Sequence, residues 1–246
     1  MSCKVFLPIR FMTKELRSLP GLRQEFSHMA NDYAVVKPFG PSILETYLPD
    51  DVLSSFLQLT DDLLQDPNRR SYGRHLVGQI SEEPFIPNEM LEQYGILSYL
   101  KMMFAEYILS TAAVNAGKEY QREVAAFQAA TNYKNPVKID IEAAWLVSQK
   151  GTEYNPIHNH SKATMSSVLY LKTPSGADGE GVPGKASTDG DIEFVEGSTQ
   201  PLQNATVRVS PEVGKFLIFP SYLLHLVYPF KGGSERRSVS INASHQ

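Results

Sequence analysis

Three histidines sit where one cation could gather them. His158 and His160 form a His-x-His pair in GTEYNPIHNHSK, and His225 lies in FPSYLLHLVYPF. Residues i and i+2 of a strand point to one face, so a pair at a strand end offers two imidazoles to a single metal ion. A third ligand must come from a distant strand that folds back alongside. His225, shortly after the apolar run Lys215–Phe219, is placed to do that. Three ligands on one side leave other coordination positions open, as oxygen chemistry requires. The remaining histidines, His28, His75 and His245, have no such setting and read as ordinary structural or solvated residues.

A second group stands eleven residues beyond His225. In Arg236-Arg237-Ser238-Val239-Ser240-Ile241-Asn242 the alternation puts Arg236, Ser238, Ser240 and Asn242 on one face and Arg237, Val239 and Ile241 on the other. The polar row is either a solvated strand face or the lining of a cavity. A cavity for a dicarboxylate needs a fixed guanidinium at its far end. Arg grips a carboxylate through two parallel hydrogen bonds, and a neighbouring hydroxyl adds a third. Arg236 with Ser238 has that form.

The elements that must position these groups change character near residue 130. Residues 1–130 read mainly as helix. Val52, Leu53, Phe56, Leu59, Leu63 and Leu64 recur at threes and fours between Pro49-Asp50-Asp51 and Asp66-Pro67-Asn68. From about Pro87 to Ala130 the same spacing continues, which predicts two helices broken near Asn115–Gly117. Val35 to Pro49 reads as one or two strands around Gly40-Pro41. Residues 131–246 read as strands. Val137–Val147 alternates, which predicts a half-buried strand. Met165–Leu171, Asp191–Val195, Ala205–Val209, Lys215–Phe219 and Arg236–Asn242 follow, separated by Gly- and Pro-rich turns, the longest being Pro174–Gly190. Short strands with such turns predict a sandwich or small barrel. The fold class is α+β: an antiparallel jelly-roll core with N-terminal helices packed on one sheet, all within a single domain, 1–246.

Composition narrows the function classes. The chain has 246 residues and a net charge of −4, with 42% hydrophobic and 20% charged residues, so a packed core is expected. No dense run of Lys or Arg appears, which argues against nucleic acid as a partner. The single cysteine, Cys3, allows no intrachain disulfide and fits a reducing compartment. No run of 18 apolar residues and no signal peptide is read, so a cytoplasmic protein without a membrane partner is expected.

Five segments in order, WLVSQKG, EYNPIHNHS, SSVLYLKTP, GKFLIFPSYLLHLVYPF and the strand Arg236–Asn242, resemble the 2-oxoglutarate and iron(II)-dependent oxygenase superfamily. The likeness is strongest to a branch met in bacteria and phages and spans roughly the last 100 residues; a weaker likeness lies in PFGPSILETYLPDD. The resemblance implies a double-stranded β-helix core with Fe(II) as cofactor and 2-oxoglutarate as co-substrate. It implies that His158 and His225 match the family's two metal-binding histidines. Arg236 matches the residue that holds the far carboxylate of 2-oxoglutarate, and Ser238 the hydroxyl that helps it. Tyr170 is either a further contact to the co-substrate or a core tyrosine. The default reaction is hydroxylation, with no catalytic side chain beyond the metal ligands.

One departure stands out. The superfamily usually carries His-x-Asp or His-x-Glu at the first pair, whereas this chain has His160. Either the site is all-histidine or a carboxylate joins from Asp191 or Glu193, which otherwise simply face water. The loop Ser175–Gly190 either covers the substrate or merely connects strands. Two competing readings keep the same residues: a cupin-type metalloprotein that needs no 2-oxoglutarate, and a non-catalytic structural or interaction barrel. The substrate, a small molecule or a protein side chain, is not legible, and a homodimer is allowed.

Overall fold

The computed structural model describes residues 33–36, 40–115, 137–174, 188–198 and 204–246. Strands β1 (Tyr33–Val36) and β2 (Ile43–Tyr47) lead into helix α1 (Asp50–Gln65). Asp50 and Asp51 fill the first turn of α1, where carboxylates meet the positive end of the helix dipole. Its apolar stripe buries Phe56, Leu59 and Leu63. After the short strand β3 (Phe85–Ile86) come helices α2 (Asn88–Gln93) and α3 (Leu97–Asn115). The break between them is at Gly95, whose φ of +72° suits a glycine that ends a helix. The sequence reading passed over this glycine because apolar spacing continues on both sides of it. The break expected near Asn115–Gly117 and the chain up to Ala130 lie outside the described residues, as do Cys3 and His28.

The second half supplies β4 (Ile139–Gln149), β5 (Asn155–His158), β6 (Met165–Lys172), β7 (Ile192–Val195), β8 (Thr206–Val209), β9 (Lys215–Pro220), β10 (Leu224–Val227) and β11 (Arg236–His245). Two antiparallel sheets result. The larger has the order β1-β2-β9-β6-β11-β4-β3, and the smaller β5-β10-β7-β8. The class is therefore mostly sheet with few helices.

Period two explains how the layers meet. On β6, Leu169 and Leu171 face the helices and pack with Phe56, Leu59, Leu100 and Phe104. Val168 and Tyr170 face the other way and join Leu217 and Phe219 against Ile192, Phe194 and Val227 of the smaller sheet. The helices thus cover one face of the larger sheet, and the smaller sheet covers part of the other. β4 departs from the half-buried expectation. From Ala143 to Gln149 it is buried on both faces, because helices cover one side while Tyr72, Leu76 and Ile80 cover Ala143, Trp145 and Val147 on the other. No described helix is long and apolar enough to cross a membrane.

Candidate metal and carboxylate site

β5 and β10 are neighbours in the smaller sheet, and their register places His158 directly opposite His225. His160 lies just past the end of β5. Its backbone N–H donates to Ser221 O at 2.8 Å, which pins it to the turn before β10. The three imidazoles converge: one ring nitrogen from each lies within 4.8 Å of the others, and His160 Nε2 stands 3.4 Å from His225 Nε2. Two nitrogens bound at right angles, each about 2.1 Å from one ion, would stand about 3 Å apart. The spacing is close to what a shared cation draws together.

The backbone fixes the ring orientations. The Nδ1–H groups of His158 and His225 donate to Pro156 O at 2.7 Å and Leu223 O at 2.9 Å. Each proton is thereby held on Nδ1, and each Nε2 lone pair is free for a metal. Phe219 meets His225 edge-on at 5.0 Å, and Trp145 lies 5.7 Å from His160. Burial pushes His160 down to about 4, with His158 adding to the effect. Burial also lowers His158 and holds His225 well below the usual imidazole range. All three are neutral near pH 7, the form that coordinates metals.

Arg236 lines the same cavity as the three histidines. It is 1% exposed. Its Nε donates to Gly190 O at 3.0 Å, and its Nη1 donates to Gln149 Oε1 and Ser238 Oγ, both at 3.2 Å. The Gln149 amide is itself fixed, donating to Glu153 O at 2.6 Å. Among the described residues neither Nη2 of Arg236 nor the Tyr170 hydroxyl has a hydrogen-bond partner of good geometry, and the two groups act on each other's charge. The guanidinium sits over the Tyr170 ring, 5.0 Å from its centre. A buried, always-charged group without a direct carboxylate partner among the described residues is a costly arrangement that an anionic ligand would relieve.

The carboxylates considered from sequence behave otherwise. Asp191 is 4% and Glu193 9% exposed, so neither simply faces water as the sequence reading had it. Neither supplies an atom to the histidine cluster found among the described residues. The β7–β10 register explains Glu193. Phe194 pairs with His225 and faces inward, while Glu193 pairs with Leu226 on the opposite face, where Tyr228 donates to it. Asp191 lies near Arg208 and Arg236 and keeps a raised carboxyl because of burial.

Sequence reasoning missed three cavity residues or supports, His75, Glu83 and Gln149. His75 was read as ordinary, yet it lines the cavity, as does Glu83. Gln149 steadies Arg236, and Asn242 Nδ2 lies 3.3 Å from His160 Nδ1. Asn242 was already legible as part of the polar row of β11; His75 and Glu83 have no periodic signal, whereas Gln149 follows Trp145 and Val147 on one face of β4. Most of the loop from Ser175 to Gly190 lies outside the described residues.

Residues 143–242 match the family model described as "Putative 2OG-Fe(II) oxygenase". Several solved structures are similar to the chain. A Pseudomonas putida prolyl-4-hydroxylase is 14% identical with a TM-score of 0.46, over 88% of this chain and 94% of that one. A Trichoplax adhaerens prolyl hydroxylase, in complex with a hypoxia inducible factor peptide fragment, is 12% identical with a TM-score of 0.47, over 98% and 94%. The α-ketoglutarate-dependent carbocyclase SnoK of nogalamycin biosynthesis is 11% identical with a TM-score of 0.48, over 92% and 84%. No curated protein matches the sequence.

Proposed function

We propose that this chain, whose residues 143–242 match a 2-oxoglutarate and iron(II)-dependent oxygenase family model, is a hydroxylase in which His158, His160 and His225 hold iron(II). In the same reading Arg236, Ser238 and Tyr170 hold 2-oxoglutarate, and the two sheets are a double-stranded β-helix. The observation that carries this is the buried guanidinium of Arg236, without a direct ion pair among the described residues, in one cavity with three converging imidazoles.

The residues present suit both groups. Neutral imidazoles, with Nε2 lone pairs free on His158 and His225, fit a divalent transition metal. The unpartnered Nη2 of Arg236 and hydroxyl of Tyr170 are two donors waiting for a carboxylate. Bound together, iron(II) and 2-oxoglutarate supply the oxidising power to put one atom of dioxygen into a substrate C–H bond. The second oxygen atom leaves in succinate, and carbon dioxide is released.

The chain's own part is binding, orientation and exclusion of water. Pro156 O and Leu223 O keep the imidazole protons on Nδ1. Gly190 O, Gln149 and Ser238 fix three of the donor directions of Arg236, leaving Nη2 aimed at the ligand. Val168, Ile192 and Phe219 are apolar walls between these two ends. An all-histidine metal shell carries one negative charge fewer than the usual two-histidine, one-carboxylate shell, so iron affinity leans on the fixed ring orientations.

Anaerobic titration of the iron(II)-loaded protein with 2-oxoglutarate tests the reading. A weak visible charge-transfer band is expected in the wild type, and it should be lost in Arg236→Gln at the same co-substrate concentration. Metal bound at the histidines with no such band would favour a cupin-type centre instead.

A further inference from the structure

Among the described residues Glu83 is a buried acid without a counter-charge. It is 3% exposed, and neither of its carboxylate oxygens has a hydrogen-bond partner among the described residues. Arg69, in the same stretch of chain, is already tied to Glu82 at 3.2 Å. Burial pushes the Glu83 carboxyl up to about 7, with repulsion from Glu153 adding to it. A buried carboxylate left unpaired is costly and needs a reason in the fold.

Its position supplies one. The segment from Ser71 to Pro84 is fastened over the cavity by bridges Ser71–Pro84, Gln79–Tyr154 and Glu82–Ser148. Glu83 lines the cavity from this segment, across from the strands that carry the histidines and Arg236. At Gly78 a Cβ atom would collide with Asn155 Oδ1 and stand 3.2 Å from Glu83 Oε1. The missing side chain makes the room that the Asn155 amide occupies, and so lets two acceptor oxygens, Asn155 Oδ1 and Glu83 Oε1, come near one another at the cavity wall. Leu76, Trp145 and Val147 form an apolar wall of the same cavity.

We propose that Glu83, together with Asn155 Oδ1, binds a cationic nitrogen group of the substrate, an alkylammonium or guanidinium. A hydroxyl brings one donor and no charge, whereas an ammonium brings three donors and neutralises the acid. A carboxylate or phosphate there would be repelled. The apolar wall suits the methylenes that join such a cation to the carbon being oxidised. As a statement about substrate the inference rests on the oxygenase reading; the binding itself does not require iron.

Isothermal titration of the full chain loaded with zinc(II) and 2-oxoglutarate, which cannot turn over, tests it. Wild type should bind n-butylammonium at least tenfold more tightly than 1-pentanol, a neutral analogue, and Glu83→Gln should erase that preference. In wild type labelled with carbon-13 at glutamate carboxyls, one resonance should move on adding n-butylammonium. Equal affinity for amine and alcohol, a preference that survives in Glu83→Gln, or unmoved carboxyl resonances would each overturn the proposal. A Gly-Lys-Gly peptide that binds more tightly than n-butylammonium assigns the cation to a polypeptide side chain, and the reverse order to a small amine. Repeating the titration on metal-free protein separates the two readings. Failure of zinc and 2-oxoglutarate to bind sinks the metal site alone, and indifference to the ammonium sinks this site alone.

Discussion

Arg236 and Arg237 are neighbours in sequence on β11 and point to opposite faces of the sheet with opposite fates. Arg237 donates to Asp61 at 2.5 Å and to Glu235 at 2.8 Å, tying α1 to the sheet. Arg236 is equally buried and makes no direct ion pair among the described residues, although Asp191 lies nearby. Sequence alone offers two identical side chains; the alternation of the strand ties one to acids and leaves Nη2 of the other without a partner among the described residues.

That division predicts separable phenotypes. Arg237→Gln should lower unfolding stability by about 2–3 kcal/mol, because it strips a partly buried network of its cation. Its Michaelis constant for 2-oxoglutarate should stay near wild type. Arg236→Gln should raise that constant by roughly 30-fold or more, since losing one partner of a desolvated charge pair costs about 2 kcal/mol or more. Denaturant melts and co-substrate kinetics on both variants decide the matter, and a swap of the two effects would contradict the assignment.

Gly190 reports on the same anchor from the other side. Its φ is +71°, and a Cβ there would stand 3.1 Å from Arg236 Cδ. Gly190→Ala should cost about 1–2 kcal/mol of backbone strain and also weaken 2-oxoglutarate binding by displacing the guanidinium. Loss of stability with unchanged 2-oxoglutarate affinity would show that the contact does not position Arg236.

Much of the site was legible in the sequence because period two carries it. His158 with His160, and Arg236 with Ser238, are i, i+2 pairs, so their shared faces follow from strand geometry. The alternating faces of β11 were likewise readable. Glu83 was not, because its meaning comes from a segment without helix or strand periodicity that crosses a cavity built by residues far along the chain. The burial of Asp191 and Glu193 depends on which strands flank β7, which composition does not encode. The full burial of β4 likewise reflects a central place in the sheet and a covering segment supplied by residues 72–80.

Glu83 predicts a stability that falls as pH rises. Its carboxyl stands at about 7 in the folded chain against an ordinary 4.5. The folded state therefore holds the proton more tightly than the unfolded state, and stability is lost as pH rises from about 4.5 through 7. Allowing for solvent screening, the loss is about 1–2 kcal/mol. Glu83→Gln should remove this dependence and melt above wild type at pH 8. Parallel melting curves for the two proteins across this window would expose the error.

The metal-free protein should also weaken on the acid side, for a different reason. Burial lowers His158, His160 and His225 from 6.5, His160 to about 4. In the unfolded chain these rings take protons below pH 6.5, while in the folded chain they stay neutral, so stability falls as pH drops from 6.5 toward 4. Zinc(II) should flatten that fall until protons compete for the ring nitrogens, a comparison that calorimetric melts with and without metal make directly.

Asn242 gives the sharpest test of the third imidazole. Its Oδ1 accepts from Ser166 Oγ at 2.7 Å, and its Nδ2 faces His160 Nδ1 at 3.3 Å. An amide N–H can only meet a lone pair, which would leave the proton of His160 on Nε2, between the rings. For His160 to offer Nε2 to a metal, its Nδ1 must carry the proton and find an acceptor. Turning the Asn242 amide over supplies it, with Oδ1 toward His160 and Nδ2 donating to Ser166 Oγ. Metal binding is then coupled to that turn. Asn242→Asp, with an oxygen on both sides, should keep zinc(II) affinity near wild type, while Asn242→Leu should lower it roughly 10- to 100-fold, the usual cost of losing a ligand's supporting hydrogen bond. If Asn242→Leu binds zinc(II) as tightly as wild type, His160 is not held as a ligand through this contact.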